Sequence, residues 1–145
     1  MRTGITYFNK AEKYYDNDNY NLALKYINKA IVLNNTDYSY YRLKAEILRM
    51  QNKYKESLKQ YNKALGLNNK DDISFFCKGY VYYKMNKPDI SLTNFNKALK
   101  LYENYNIYYW KSKIYLQKQN FNLAIKNCNK YLELSKGYYQ ENIEE

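Results

Sequence analysis

The sequence predicts an all-α solenoid of four stacked helix hairpins, and two observations carry that prediction. A sixteen-residue pattern occurs four times, at residues 20–35, 54–69, 88–103 and 121–136, in steps of 34, 34 and 33 residues. A fixed period in this range marks a stacked array of one small unit, since a single unit cannot bury its apolar face alone. The second observation is spacing. Each block, and each stretch between blocks, carries apolar residues three and four apart, which places them on one helix face.

Taken in order, the first helix is marked by Tyr7, Ala11 and Tyr14: an aromatic, a small residue four later, and a bulky residue three after that. A short turn follows at Asn17 to Asn19. The second helix carries Tyr20, Ala23, Leu24, Ile27, Ala30 and Ile31 on one face. Asn34 and Asn35 end it, because Asn enters a left-handed cap with little strain. The same stripe returns as Tyr41, Ala45 and Leu48, with a turn at Gln51 to Lys53. The fourth helix presents Tyr54, Leu58, Tyr61, Ala64 and Leu65, with Ser57 in the small slot, and stops at Asn68 and Asn69.

Asp71 and Asp72 open the fifth helix, where acidic residues favour the dipole and can cap the chain. Its stripe is Phe75, Gly79 and Tyr82, and the turn is Asn86 to Lys87. Pro88 starts the sixth helix, at a position that tolerates a missing N–H. The 33-residue step falls between Leu101 and Tyr108. The seventh helix carries Tyr108, Ser112 and Tyr115, and Gln119 to Asn120 turns into the eighth. A short ninth helix near Tyr138 is expected to cap the array, with Tyr138 and Ile143 covering the fourth repeat.

Composition bounds the rest. In 145 residues there are 4 Gly and 1 Pro, which leaves no flexible linker, so residues 1–145 read as one domain. Its repeats run about 4–37, 38–71, 72–104 and 105–136, followed by a cap or tail at 137–145. Mean hydropathy is −0.87, yet 46% of residues are hydrophobic and periodic, which separates the chain from a disordered one. No apolar run approaches the roughly 18 residues of a membrane span. The first residues lack the apolar core of a signal peptide. Cys77 and Cys128 occupy non-equivalent slots, which argues against a structural disulfide and for reduced thiols. A cytoplasmic protein is expected.

The second-helix slots read Ala23, Ile27, Ala30; Ser57, Tyr61, Ala64; Ser91, Phe95, Ala98; and Ala124, Cys128, Tyr131. Small residues let paired helices approach and large ones fill the space beside them. With the first-helix stripes, this pattern resembles the tetratricopeptide repeat (TPR) family over roughly residues 4 to 136. The resemblance implies a right-handed superhelix of four hairpins. There are departures. Asn35, Asn69, Glu103 and Lys136 stand where the family has Pro, and Lys10, Lys44, Lys78 and Lys111 where it has Leu. Those lysines are expected to lay their stems on apolar surface and keep the ammonium wet. Tyr131 replaces a small residue, and is expected to cap the last repeat.

The resemblance also implies that first helices line a concave groove used for peptide binding. The groove residues are then Phe8, Asn9, Glu12 and Tyr15; Arg42, Leu43, Glu46 and Arg49; Phe76, Cys77, Tyr80 and Tyr83; and Tyr109, Trp110 and Lys113. The last two groups make an aromatic cluster with Lys84 and Lys113 nearby, the composition of a protein-interface anchor. It would suit an extended or helical peptide with apolar residues and an acidic one. Some members of the family clamp the acidic tail of cytosolic chaperones with Lys and Asn at fixed slots. Here those slots hold Phe8, Glu12, Leu43, Ile73 and Cys77, or one repeat later Arg42, Glu46, Cys77, Asn106 and Trp110. Neither set supplies the cations and amides, so that clamp is not expected.

On the convex back, Lys25 and Lys29, Lys59 and Lys63, and Lys126 and Lys130 lie four apart, and Lys97 continues the row. This stripe, on a chain of net charge +10, offers an alternative surface for an acidic partner or nucleic acid. Nucleic acid is the weaker reading, because the row lacks arginines and interleaved aromatics. Self-association through the apolar end repeats is a second alternative.

Catalysis has little support. The chain has no His, which removes the usual general base and the commonest metal ligand. It has no Gly-rich phosphate loop. Glu12 and Asp16 read as surface charge, and Cys77 as apolar lining without a cationic activator. The sequence therefore predicts a non-catalytic adaptor or scaffold with no cofactor and no metal, holding a protein or peptide in its groove.

Overall fold

The computed structural model describes the backbone of residues 3–141 and the side chains of residues 3–136. Among the described residues it contains eight α-helices: α1 (Gly4–Asp16), α2 (Tyr20–Leu33), α3 (Tyr38–Met50), α4 (Tyr54–Leu67), α5 (Asp72–Lys84), α6 (Pro88–Leu101), α7 (Tyr105–Gln117) and α8 (Phe121–Glu141). Helices pair as α1–α2, α3–α4, α5–α6 and α7–α8, and each pair stacks on the next. First helices also touch the first helices of neighbouring repeats, whereas second helices do not reach one another. The first helices therefore line the inner side of the array. The sequence expectation of an all-α repeat fold is met.

Close approach within each hairpin depends on its small residues. Ala11, Ala23, Ala30, Ala45 and Ala64 are fully buried. Where serine takes the small slot, it finds a backbone partner in the paired helix. Ser57 Oγ donates to the Ala45 carbonyl at 2.8 Å, and Ser91 Oγ to the Gly79 carbonyl at 2.7 Å. A buried hydroxyl is tolerated when so satisfied. Gly79 has a further reason: a Cβ there would lie 2.6 Å from the ring of Phe95, which is fully buried.

The turns differ from expectation in one respect. Asn34 and Asn68 are extended, at φ −149° and −138°, rather than left-handed. Their side chains instead accept from the backbone two residues on, at Thr36 N and Lys70 N, which ends each helix with an Asx turn. The left-handed residues are Asp18, Asn52, Asn86 and Gln119, each at the middle of a three-residue turn inside a hairpin. Helix starts follow the expected chemistry. Asp37, Asp71 and Asn104 cap α3, α5 and α7, and Pro88 is the first residue of α6. The missing residue of the short repeat lies in the α6–α7 connection, which has three residues where α2–α3 and α4–α5 have four.

The C-terminal end departs from the predicted cap. There is no separate ninth helix within residues 3–141; α8 continues to Glu141 and is 21 residues long, against 14 for α2, α4 and α6. Of the residues expected to cover the end, Ile143 lies outside the described residues, and so does the side chain of Tyr138. Tyr131 does not cover the end either. Its ring packs on Tyr105 and Tyr109 of α7, with centroids 5.9 and 5.6 Å apart.

The lysines in the family's Leu position behave as expected in part. Lys44, Lys78 and Lys111 are half-buried, and burial pushes their pKa below the ordinary lysine range. The ammonium ends are fixed by neutral groups: Lys78 Nζ donates to Asn62 Oδ1 at 2.7 Å, and Lys111 Nζ to Asn96 Oδ1 at 2.8 Å. A depressed lysine binds fewer protons folded than unfolded, so its cost is fully present below the folded pKa and relieved as pH rises through it. Lys78→Met, which keeps the stem and removes the charge, is expected to raise stability at neutral pH. The gap to the wild type should close as pH approaches the ordinary lysine pKa. Urea unfolding at neutral and alkaline pH checks the sign; a gap that widens with pH contradicts it.

Candidate binding groove

The inner face carries the residues predicted for it in two groups with different occupations. At the centre, Glu46 and Arg49 of α3 together tie three helices, α3, α4 and α5. One carboxylate oxygen accepts from Nε and Nη2 of Arg49, at 3.1 and 2.7 Å, and the other from the hydroxyl of fully buried Tyr61 on α4. The Arg49 guanidinium lies over the Tyr80 ring, 5.3 Å from its centroid. Burial raises the Tyr15 hydroxyl pKa, and the Glu46 charge adds to it. Arg42 is likewise engaged, donating from Nη1 to Asp71 at 3.0 Å. Both groove arginines thus have carboxylate partners within the chain. Neither is a free anchor for an anionic ligand.

The aromatic cluster of repeats three and four assembles around Trp110. Tyr80, Tyr109 and Tyr83 lie with ring centroids 4.9, 5.1 and 5.3 Å from it. Tyr80 and Tyr83 are on α5 and Trp110 on α7, so these contacts cross a repeat junction. Trp110, Tyr80 and Tyr83 are half-buried and hold the repeats together; Tyr109 remains exposed. Lys113 Nζ donates to the Tyr109 hydroxyl at 3.3 Å and lies 5.3 Å from that ring. That contact raises the Lys113 pKa.

The remaining predicted positions divide the same way. Phe8 stacks on Tyr40 of α3 at 5.0 Å, and Phe76 packs against Phe95 at 5.8 Å. Glu12 is exposed, with its pKa raised by partial burial and then by Asp16. Cys77 is buried, and burial with the Glu46 charge pushes its thiol well above the ordinary range, which makes it unreactive at neutral pH. Leu43 is buried too, and Asn9 is exposed.

Beside Arg42 and Glu46 lies a hollow of about 440 Å³, lined also by Asp72, Ile73, Phe76, Cys77, Asn104 and Ile107 among others. Three of those residues, Asp72, Asn104 and Ile107, were not predicted for the groove from sequence, and Ile73 entered only as a slot of the chaperone-tail clamp. They sit at the starts of α5 and α7, and the connections between repeats bring them onto the inner face. Ile73 is exposed and gives the rim an apolar contact. The arrangement can bury an apolar side chain between a polar wall at Arg42 and Glu46 and an apolar one at Phe76 and Ile107. Among the described residues no group of His, Cys, Asp and Glu is placed to hold a metal ion.

Family models described as TPR repeat or tetratricopeptide repeat match residues 5–37, 45–86 and 78–139, so that together they span most of the array. The chain belongs to the tetratricopeptide repeat family. No curated protein matches this TPR chain in sequence. Solved structures do match in shape. A crystal structure of MamA superposes with a TM-score of 0.89 at 20% identity, over 96% of this chain and 82% of that one. The Cut9–Hcn1 hetero-tetramer of the APC/C gives 0.84 at 20% identity, over 92% of this chain and 27% of that one. The first TPR of Spaghetti (RPAP3), bound to the HSP90 peptide SRMEEVD, gives 0.77 at 16% identity, over 81% and 96%. At these identities the likeness establishes the TPR fold. Among the described residues no helix is long and apolar enough to cross a membrane.

Proposed function

We propose that this TPR array is a non-catalytic adaptor that holds a segment of a protein partner in the groove of its first helices. The observation that carries this reading is the hollow at the α3–α5–α7 face, whose lining includes exposed Ile73; Tyr109 and Lys113 lie outside that lining, farther along α7. An apolar side chain of the partner fills the hollow. An acidic residue pairs with Lys113, the groove cation whose described hydrogen bond is to a phenol rather than a carboxylate. The rest of the face is preorganised by the Glu46 and Trp110 networks, which reduces the ordering cost of binding. The free thiols Cys77 and Cys128 suit a reducing compartment, in keeping with a cytoplasmic adaptor. In a pull-down from source-cell lysate, Ile73→Ser with Tyr109→Ser is expected to weaken capture of the partner at least about tenfold, since buried interface anchors each contribute over 1 kcal/mol. Unchanged capture by a folded double variant rejects the groove.

A second reading is favoured by the C-terminal end. Ile125 is 60% exposed, whereas its equivalent in repeat two, Leu58, is 9% exposed. Cys128 is exposed where Ile27, Tyr61 and Phe95 are fully buried. We infer that this face self-associates at high concentration through α8. Sedimentation should then give a concentration-dependent mass that Ile125→Glu abolishes; a monomer at all concentrations removes this reading.

A further inference from the structure

A second surface runs along the side of the first helices away from the groove. Lys10, Lys44, Lys78 and Lys111 each lie two residues beyond a groove position, about 200° round the helix from it. From Lys44 to Lys111 they join the second-helix lysines Lys63 and Lys97 in one connected row. Lys44 lies close enough to Lys63 to feel its charge, and Lys78 to feel Lys97. Asn62, next to Lys63, accepts from Lys78 of the following repeat, and Asn96, next to Lys97, accepts from Lys111. At the N-terminal end, Lys10 Nζ sits 4.6 Å from the Tyr26 ring centroid and Lys29 Nζ 5.6 Å from those of Tyr7 and Tyr26.

What distinguishes this row is the nature of its partners. Lys63 lies over Tyr41, Lys97 over Phe75 and Lys111 over Tyr108, so aromatic faces and amide oxygens hold the ammonium groups. The described ion pairs are Arg42–Asp71, Arg49–Glu46, Lys118–Asp89 and Lys130–Glu133. None involves the row from Lys10 to Lys111. Neutral partners fix the cations in place without cancelling their charge. Like charges are moreover brought together at the Lys44–Lys63 and Lys78–Lys97 steps, an arrangement that a bound anion relieves.

We propose that this row is a docking surface for a carboxylate-rich segment of a protein partner, separate from the groove. The row contains no arginine, so it lacks the forked donors suited to phosphate. The rings along it are already covered by lysines and half-buried or buried, so bases cannot stack on them. An acidic peptide needs neither. Point charges at one repeat spacing suffice.

The test is fluorescence anisotropy with a labelled oligoglutamate peptide of about twelve residues, against an oligouridylate RNA of the same length. The wild type should bind the peptide at about 50 mM salt and lose at least about tenfold in affinity by about 200 mM. Lys78→Gln with Lys97→Gln removes two charges and keeps an amide able to bond Asn62. It should weaken peptide binding about three- to tenfold. Lys55→Gln with Lys100→Gln, at exposed positions off the row, should change it less than about twofold, with circular dichroism confirming the fold of both. Absence of peptide binding at low salt overturns the proposal. So does an equal loss in the two double variants, which reduces the effect to net charge. Tighter binding of the RNA, or loss of peptide binding in Ile73→Ser with Tyr109→Ser, replaces it with a nucleic-acid surface or with the groove.

Discussion

Phe95→Ala will lower the unfolding free energy by about 3–5 kcal/mol, the cost of removing a buried aromatic from a packed core. Phe95 is fully buried, and Gly79, Phe76, Ala98, Ile107 and Ile114 belong to or border the same cluster. It bridges repeats three and four, so its loss should uncouple the array at that junction. Gly79 provides a sign test. Alanine is the better helix former by about 1 kcal/mol. Yet Gly79→Ala is expected to destabilise by about 1–3 kcal/mol, because its Cβ meets the Phe95 ring at 2.6 Å. In the Phe95→Ala background the clash is gone, and the same Gly79→Ala change should stabilise. Chemical denaturation of the four proteins measures this coupling. Additive effects contradict the packing described.

Asp71→Ala will cost about 2–3 kcal/mol. Asp71 is buried and does two things at once. It caps α5, accepting from Ser74 N at 3.3 Å and Ser74 Oγ at 2.5 Å, and it pairs with Arg42 across the repeat junction. Losing a cap costs about 1 kcal/mol. The orphaned Arg42 adds to this, discounted because its side chain is 27% exposed and can reach water. Asp71→Asn keeps the cap and loses the charge, so it should cost less than Asp71→Ala. Equal losses in both variants would assign the whole effect to the ion pair.

Much of the fold was legible because a 34-residue period and small-residue slots translate directly into hairpins. Ala11, Ala45 and Gly79 are buried where the stripe placed them, and Pro88 opens α6. The turns were less legible. Asn34 and Asn68 suit both a left-handed cap and an Asx turn, and only the path of the chain into the next helix selects the second. The groove positions follow from helical phase, but phase does not reveal which rings are committed to packing. Trp110 and Tyr80 look like exposed anchors in sequence, yet they meet across a repeat junction. The same limit hid the partners of Glu46 and Arg42, since Tyr61 and Asp71 lie on other elements. The lysine row was visible in part, as lysines four apart on the second helices. That Asn62 and Asn96 each bond a lysine of the following repeat is a tertiary fact with no local signal.

The groove as the seat of partner binding is the central claim, and site-specific photo-crosslinking tests it most directly. A benzophenone amino acid is placed at Ile73 in the groove or at Lys59 on the exposed back of α4, and each protein is irradiated in source-cell lysate. A discrete protein adduct is expected from position 73 that is absent from position 59 and competed away by excess unlabelled wild type. An adduct formed at position 59 and not at 73 would contradict the claim, and would move the partner to the outer surface of the array.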